Sequence, residues 1–228
     1  MNLLDRKTGF LFDLDGTLVD SSPLHERIFR EVLRDRAPRF LEGFDYELLK
    51  GKSTAQSFRE LGAAEGPLLE CLTGEKQRRY RAAVLAGGLN LTPGAREILE
   101  FLSALGKRLF VVTGGSRRSV EVALEATGIS RYFEGVITAD EAPRGKPSPD
   151  SFLLCLSNFG IAAGDALGIE DSSNGLSACH AAGLDAVLVN NPLLRRALPG
   201  LGRARAWVFS DLAEFHRALI RQPELANA

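Results

Sequence analysis

Cysteine is scarce in this sequence. Only three of the 228 residues are cysteines, and Cys71, Cys155 and Cys179 stand far apart, without the short intervals typical of metal-binding cysteines. This scarcity excludes a disulfide-rich secreted scaffold and a cysteine-based metal cluster. The sequence therefore predicts free, mostly buried thiols in a reducing compartment.

Long hydrophobic runs and an excess of one charge are also absent. No apolar stretch approaches the roughly 20 residues that a membrane-spanning helix requires, and residues 1–7 carry too much charge for a secretory signal. The 28 basic and 29 acidic residues give a net charge of −1, so no global basic field attracts nucleic acid or anionic membranes. We expect a cytoplasmic protein whose partners include neither nucleic acid nor membrane.

The most informative segment lies near the start of the chain. Gly9–Phe12 are apolar without alternation, which predicts a strand buried on both faces of a sheet. Asp13 and Asp15 follow at a spacing that points both side chains to the same side of an extended backbone, and Gly16 allows an immediate turn. Two carboxylates at the carboxyl end of a parallel strand predict a ligand site with a hard divalent cation, for which Mg²⁺ is the natural choice.

The next part of the chain, residues 18–90, predicts helices and no strand. One helix is expected to begin at Ser22 and Pro23, with the serine as its cap and the proline in its first turn. A second is capped by Ser53 or Thr54, and a third ends before Gly87. We expect this segment to form a separate helical insertion.

From residue 91 onward, predicted strands and helices alternate. A helix is expected to begin at Thr92 and Pro93, and strands are expected near residues 108–113, 135–138, 166–170, 185–190 and 206–209. Alternation of this kind predicts a mostly parallel sheet with helices on both faces. The predicted fold is therefore α/β, with a Rossmann-like doubly wound core formed by residues 1–17 and 91–228 and an α-helical insertion over residues 18–90.

Three more groups of polar residues follow predicted strands or open predicted helices. They are Thr113 with Gly114 and Ser116, Lys146 in the loop 145–150, and Glu170 with Asp171. Together with the Asp13 segment they resemble, in order, the four motifs of the haloacid dehalogenase-like hydrolase superfamily. The resemblance spans nearly the whole chain and implies that the helical insertion is a cap that closes over the active site.

The resemblance also implies a role for each motif residue in phosphoryl transfer. Asp13 is the nucleophile that forms an aspartyl-phosphate, and Asp15 is the acid and base. Thr113 and Lys146 hold the non-bridging phosphate oxygens. The implied ligands of Mg²⁺ are Asp13, the backbone carbonyl of Asp15, Asp171, and Glu170 either directly or through water. We therefore predict a magnesium-dependent phosphatase for a small phosphorylated metabolite, such as a sugar or polyol phosphate.

A narrower resemblance concerns the substrate side of the cap. His25 and the pair Lys50 and Gly51 are similar in position to substrate-contacting residues of β-phosphoglucomutases, although an ordinary helix histidine and loop lysine also fit these positions. Thr54 stands where such a mutase has an arginine for a second phosphate, which favours a simple phosphatase. Further candidates for substrate contacts are Gly114, Ser116 and either Arg117 or Arg118.

Three other functions compete with the phosphatase. A β-phosphoglucomutase-like isomerase would use the same core. A phospho-aspartate receiver module would be about half this length and would need no cap. A P-loop nucleotide binder is suggested by residues 51–54, but Tyr46 occupies the position of its first glycine. We expect a monomer or weak homodimer, and the sequence leaves the substrate open because cap side chains decide it.

Overall fold

The computed structural model describes residues 2–190 and 205–221. In these ranges the strands are β1 Gly9–Phe12, β2 Arg108–Val112, β3 Gly135–Ile137, β4 Ala166–Glu170, β5 Asp185–Leu188 and β6 Ala206–Val208. The helices are α1 Leu3–Arg6, α2 Ser22–Arg36, α3 Thr54–Glu60, α4 Pro67–Leu85, α5 Ala95–Ala104, α6 Arg117–Thr127, α7 Asp150–Phe159, α8 Ser173–Ala181 and α9 Leu212–Arg221. None of these helices combines the length and the apolar character needed to cross a bilayer.

The six strands form one parallel sheet in the order β3-β2-β1-β4-β5-β6. The chain moves outward from β1 in one direction to β2 and β3, and then in the other to β4, β5 and β6. Ligand sites in such sheets lie at the carboxyl ends of the strands where this reversal occurs. The doubly wound α/β prediction is confirmed, and β1 lies at the reversal.

Both faces of the sheet are covered, which explains the uninterrupted apolar sequence of β1. Phe10 and Phe12 belong to the apolar cluster that α5, α6 and α9 share, whereas Leu11 faces the cluster formed with α7 and α8. Because successive strand side chains point to opposite faces, every residue of β1 is buried. Burial on both faces fixes the position of the residues that follow β1.

The helices α2, α3 and α4 form a unit of their own between β1 and α5. Helix α4 packs against α2, α3 and the core helix α6. The two connections to the core run side by side, because Asp20 donates its N–H to the carbonyl of Asn90 at 2.9 Å and Thr92 donates to Leu18 at 3.0 Å. The domain boundaries at 17/18 and 90/91 stay a prediction.

A short helix precedes β1 at the start of the chain. It is α1, which runs over Leu3–Arg6 with Asn2 and Lys7 as its caps. The side chain of Asn2 accepts the N–H of Asp5 at 2.8 Å, and the carboxylate of Asp5 accepts the N–H of Asn2 at 3.2 Å. This reciprocal capping compensates the unsatisfied donors of the first turn.

The helices α2 and α5 differ from the prediction, because neither has the side-chain cap that the sequence predicts. Ser21, not Ser22, precedes α2, and its hydroxyl donates to Asp15 at 2.7 Å instead of capping the helix. Helix α5 begins at Ala95, while the Thr92 hydroxyl donates to the carbonyl of Thr17 at 2.6 Å. Tertiary contacts with the first motif therefore override the local capping pattern.

Candidate active site

The predicted motif residues converge because three parallel strands end side by side. Asp13 follows β1, Thr113 follows β2 and Glu170 is the last residue of β4. Asp13 is fixed by its N–H, which donates to the carbonyl of Ile169 at 2.8 Å, and Thr113 by its N–H, which donates to Ile137 at 3.0 Å. All three side chains are buried. Residues more than 150 positions apart in the sequence thus lie together at the carboxyl end of the sheet.

Lys146 reaches this pocket from the loop before α7. Its ammonium donates to Asp13 Oδ1 at 2.6 Å, to Glu170 Oε1 at 2.5 Å and to the carbonyl of Val112 at 2.9 Å. Burial alone would lower the pKa of Lys146, but the charges of Asp13 and Glu170 raise it above its usual range. The lysine therefore stays charged and uses all three of its donors.

A carboxylate cluster lies beside this lysine. Asp13, Glu170 and Asp171 each place an oxygen within 4.8 Å of the other two. Gly16 has φ +87°, and a Cβ there would lie 2.1 Å from Asp171 Oδ2; only glycine allows the first motif to pass so close. Three buried carboxylate oxygens at one point form the donor set that a hard divalent cation prefers.

The electrostatics of the cluster favour a bound cation. Burial raises the pKa of Asp13 well above its usual range, and the nearby charges of Glu170 and Asp171 raise it further against the pull of Lys146. Burial, followed by the charge of Glu170, raises the pKa of Asp171 to about 7. Lys146 balances only part of the negative charge, so a divalent cation would offset the rest.

Asp15 lies in a different environment, facing the helices α2 and α4. Its Oδ1 accepts the Ser21 hydroxyl at 2.7 Å, His25 Nε2–H at 2.9 Å and the Tyr80 hydroxyl at 3.3 Å. Burial raises the pKa of Asp15, but His25, Ser21 and the charge of Lys76 together hold it well below its usual value. Two aspartates separated by one residue therefore have pKa values shifted in opposite directions, which is typical of a site that divides roles between two carboxyl groups.

Lys76, on α4, is a residue that the sequence reasoning missed. Its ammonium lies 2.6 Å from His25 Nδ1 and stands over the rings of Phe29 and Tyr80 at 4.8 and 5.3 Å. An ammonium has donors only, so Nδ1 of His25 accepts, and the histidine proton resides on Nε2, directed at Asp15. The contacts from Lys76 to His25 and from His25 to Asp15 thus connect the insertion to the motif that follows β1.

A sequence signal for Lys76 did exist. The buried stripe of α4 comprises Leu69, Leu72, Lys76, Tyr80 and Val84, and a lysine at a core position of an amphipathic helix needs a partner. Burial lowers the pKa of Lys76 to about 8, against the opposing effect of the Asp15 charge. The ring of Tyr80 stacks on His25 with centroids 4.4 Å apart, which fixes the imidazole plane.

The loop that carries Lys50 and Gly51 touches two core loops. The carbonyl of Lys50 accepts the side-chain amide of Asn174 at 2.8 Å. Gly51 has φ +78°, and a Cβ there would lie 2.7 Å from Ser172 Oγ; a Cβ on Gly114 would lie 2.7 Å from the Gly51 carbonyl. The insertion and the core are therefore in backbone contact around the carboxylate cluster.

Of the other predicted substrate residues, Gly114 and Ser116 line cavities beside Asp13 and Asp15, but Arg117 does not. Gly114 lines the cavity of Asp13, and Ser116 lines a small neighbouring cavity on the Asp15 side. The structure does not bring Arg117 into this group, because its guanidinium donates to Glu141 at 2.6 Å and to the carbonyl of Val136 at 3.0 Å. The substrate contact predicted for Arg117 has no geometric support, since α6 directs this side chain along the sheet edge.

The cavity at Asp13 and Asp15 is small. It measures about 40 Å³ and is also lined by His25, Lys50 and Lys76. This volume holds roughly three water-sized groups, which is close to the size of a phosphoryl group.

Comparison with known proteins agrees with this arrangement. The family model of haloacid dehalogenase-like hydrolases matches residues 7–183. The fructose-1-phosphate phosphatase YqaB of Escherichia coli is 33% identical over 199 residues, covering 81% of this chain and 97% of that protein. Hexitol phosphatase A of E. coli is 33% identical over 191 residues, covering 82% and 85%.

A solved structure extends the comparison to the fold. CbbY from Rhodobacter sphaeroides in complex with phosphate has a TM-score of 0.74 at 24% identity and covers 92% of this chain and 96% of that one. At this identity the likeness concerns the fold alone. The family model, by contrast, covers more than half of the chain and includes all the residues of the carboxylate cluster. The chain therefore belongs to the haloacid dehalogenase-like hydrolase family.

Proposed function

We propose that this protein is a magnesium-dependent phosphatase that hydrolyses a small phosphomonoester of a sugar or polyol through an aspartyl-phosphate on Asp13. The observation that carries the proposal is the contrast between Asp13 and Asp15. Asp13 contacts an ammonium and lies in the carboxylate cluster, whereas Asp15 is surrounded by hydrogen-bond donors from the insertion. This contrast supports attack at phosphorus by Asp13 and proton transfer by Asp15.

The reaction proceeds in two steps. The free oxygen of Asp13 attacks phosphorus, the bond to the leaving oxygen breaks, and Asp15, which is ionised at neutral pH, passes a proton from His25 Nε2 to the departing alcohol. Lys76 gives a proton to His25 Nδ1 in return. Water then attacks the aspartyl-phosphate and its proton returns through Asp15 to the pair of His25 and Lys76, so phosphate is released and both aspartates are restored. Thr113 holds one non-bridging oxygen, and Lys146 holds another by exchanging its contact with Asp13 Oδ1 for the phosphate. Charge neutralisation and positioning supply most of the rate.

The residues that would hold Mg²⁺ are Asp13, Glu170, Asp171 and the backbone carbonyl of Asp15. When bound, the cation neutralises phosphate charge so that an anionic nucleophile can approach. The donor set supports a divalent cation, and magnesium is the proposal because oxygen-only sites at a phosphate suit it.

We further propose that residues 18–90 act as a cap that opens for substrate and closes for chemistry. The insertion and the core both line the cavity at Asp13 and Asp15, so a substrate must pass between them to reach Asp13. Closure places His25 and Lys76 against Asp15, so proton transfer becomes competent only when bulk water is excluded.

The substrate class rests on the relatives, which include a fructose-1-phosphate phosphatase and a hexitol phosphatase. Phosphate release from a panel of phosphorylated sugars, polyols and small acids, with Mg²⁺ or with EDTA, tests the proposal. We expect turnover of at least one sugar or polyol phosphate with Mg²⁺ only. Asp13→Asn should abolish it, because an amide is a poor nucleophile.

Asp35→Asn is the matched control, because it makes the same change at an exposed residue paired with Arg79. Its activity should equal that of the unmodified protein. Turnover by a folded Asp13→Asn variant would refute the nucleophile assignment. Conversion of β-glucose 1-phosphate to glucose 6-phosphate without net phosphate release would identify a mutase instead.

A further inference from the structure

A residue just beyond β5 has an unusual backbone conformation. Asn190 has φ +58°, and among the residues that the structure describes it is the only non-glycine residue with a positive φ. This conformation is uncommon for residues with a Cβ, although asparagine adopts it more readily than most. Such residues cluster at functional sites, where the surrounding contacts hold them in place. The contacts of the Asn190 side chain are therefore of interest.

The side-chain amide of Asn190 contacts the turn that follows β1. Its Nδ2 donates to the carbonyl of Gly16 at 2.7 Å and lies 3.3 Å from the carbonyl of Thr17. Strand β4 lies between β5 and β1 in the sheet, so this contact links the end of β5 to a motif on a strand that is not its neighbour. The backbone N–H of Asn190 donates to the carbonyl of Ser210 at 3.2 Å, which fixes the residue against the loop after β6.

The turn after β1 needs such support because its central residue is a glycine. Gly16 has φ +87°, and a Cβ there would lie 2.1 Å from Asp171 Oδ2, so no side chain can restrict its conformation. Its N–H donates to the carbonyl of Val19 at 2.8 Å, and its carbonyl accepts the amide of Asn190. A hydrogen bond on either side thus holds the most permissive residue of the turn.

The conformation of Gly16 also sets the direction of a carbonyl in the candidate metal site. The carbonyl of Asp15 and the N–H of Gly16 belong to one planar peptide group, so they rotate together. That carbonyl is a proposed Mg²⁺ ligand beside the carboxylate cluster. Mg²⁺ requires a nearly regular octahedron of oxygens, so a small rotation of this peptide group would weaken binding.

We infer that Asn190 is a positioning residue for the proposed Mg²⁺ site, because its amide fixes the turn at Gly16 and, through it, the direction of the Asp15 carbonyl. Asn190 itself lies outside the lining of the cavity at Asp13 and Asp15, so it does not contact a phosphoryl group there. The inference rests on the proposed function, because it assumes that the cation binds at the carboxylate cluster.

The test measures the Kd of Mg²⁺ by isothermal titration calorimetry on the protein without substrate. Asn190→Gly removes the amide and adopts a positive φ without strain, whereas Asn190→Ala removes the same amide and keeps the strain. If the amide acts, we expect both variants to raise the Kd about tenfold, as for the loss of other outer hydrogen-bond partners of metal ligands.

Asn158→Gly is the matched control, because it makes the same replacement at an exposed position of α7. A glycine inside a helix lowers stability, but this one is not part of the turn after β1. Its Kd for Mg²⁺ should equal that of the unmodified protein, which separates an effect on the metal site from general destabilisation.

The two variants of Asn190 also separate the amide from the backbone. A raised Kd in Asn190→Ala alone would assign the effect to the backbone conformation and overturn the inference. An unchanged Kd in both variants, with Mg²⁺ binding and turnover in the unmodified protein, would overturn the positioning role and leave the phosphatase intact. Absence of both Mg²⁺ binding and turnover in the unmodified protein would overturn both proposals.

A second titration, with Ca²⁺, tests the role of ligand direction. Ca²⁺ accepts irregular oxygen geometry, whereas Mg²⁺ does not. A misdirected carbonyl should therefore weaken Mg²⁺ more than Ca²⁺, and we expect the ratio of the Kd for Ca²⁺ to the Kd for Mg²⁺ to fall at least about threefold in Asn190→Gly. An unchanged ratio would overturn the assignment to the direction of the Asp15 carbonyl, because a merely structural defect weakens both ions alike.

Discussion

Two buried lysines stand on opposite sides of the aspartate pair, and they differ in what neutralises them. Lys146 of the core is 1% exposed and contacts the carboxylates of Asp13 and Glu170. Lys76 of the insertion is 4% exposed and contacts an imidazole and two aromatic faces. Burial opposes the charge on both, but only Lys146 has two anions in contact to offset it.

The difference shows that a buried charge can support the fold or reduce its stability, depending on its partners. The pKa of Lys146 is held above its usual range, so the folded state favours its charge. The pKa of Lys76 falls to about 8, so the folded state disfavours its charge. A lysine kept at a cost to stability is expected to serve function.

The first and largest prediction removes the core lysine. Lys146→Met should reduce turnover below detection and lower the free energy of unfolding by about 3–5 kcal/mol, because it leaves buried carboxylates without their cation. Turnover and urea unfolding at pH 7 measure the two effects. Added Mg²⁺ should restore part of the stability, since a divalent cation supplies charge to the same carboxylates.

The control is Lys107→Met, because Lys107 donates to a backbone carbonyl, that of Leu4, at 2.5 Å and contacts no catalytic residue. Its loss should cost no more than about 1.5 kcal/mol, typical of a neutral acceptor, and should not respond to Mg²⁺. Equal destabilisation of the two variants would show that the charge balance in the core does not stabilise the fold.

The second prediction concerns Lys76 of the insertion. Its removal should raise the free energy of unfolding, whereas removal of Lys146 should lower it. The pKa of Lys76 is about 8 in the folded state against 10.5 for an exposed lysine. Between these values the unfolded chain binds more protons, so the unmodified protein gains stability as the pH rises from about 8 to about 10.5 and carries the full penalty below 8. Lys76→Met should therefore raise the free energy of unfolding at pH 7 by up to roughly 3 kcal/mol.

The gain should shrink with pH, to roughly 1 kcal/mol at pH 9.5, because the unfolded lysine then approaches its own pKa. Turnover should fall roughly 10- to 100-fold, as for the loss of a group that supports acid and base catalysis. Urea unfolding at both pH values and kcat at saturating substrate measure these effects. Destabilisation at pH 7, or a gain that does not depend on pH, would contradict the account of Lys76.

The core side of the site also shows which residues can be located from the sequence. Asp13, Thr113 and Glu170 follow apolar strands, and strand order and direction place the ends of such strands together. Local pattern and topology suffice to locate these residues. Lys146 lies in a loop, where only its motif predicts a role, and its contacts with Asp13, Glu170 and Val112 require the folded core.

The insertion was less predictable, because helix packing determines its contacts. Periodicity identified α4, but the rotation of α4 relative to α2 brings Lys76 to His25, and no local pattern encodes that rotation. Arg117 shows a second limit of local pattern. It follows Ser116 directly, yet the direction of α6 turns its guanidinium to Glu141. Proximity in sequence to a motif does not fix where a helix-start side chain points.

The last and smallest prediction concerns the insertion, where one of the hydrogen bonds to Asp15 is long. The Tyr80 hydroxyl donates to Asp15 at 3.3 Å, whereas Ser21 and His25 donate at 2.7 and 2.9 Å. Tyr80→Phe keeps the ring that stacks on His25 and removes only this long hydrogen bond. We expect kcat to fall about two- to fivefold, because a long hydrogen bond contributes less than the usual 1 kcal/mol or so.

Tyr132→Phe is the matched control, because its hydroxyl donates to Glu100 at 3.0 Å on the protein surface, and its kcat should equal that of the unmodified protein. A loss in Tyr80→Phe as large as that in Lys76→Met would mean that the phenol itself transfers a proton. A loss of a few-fold, with unchanged stability, would instead assign the support of Asp15 chiefly to the Lys76–His25 pair. The aromatic ring would then act through the orientation of the imidazole, which is a packing effect that only the folded insertion can supply.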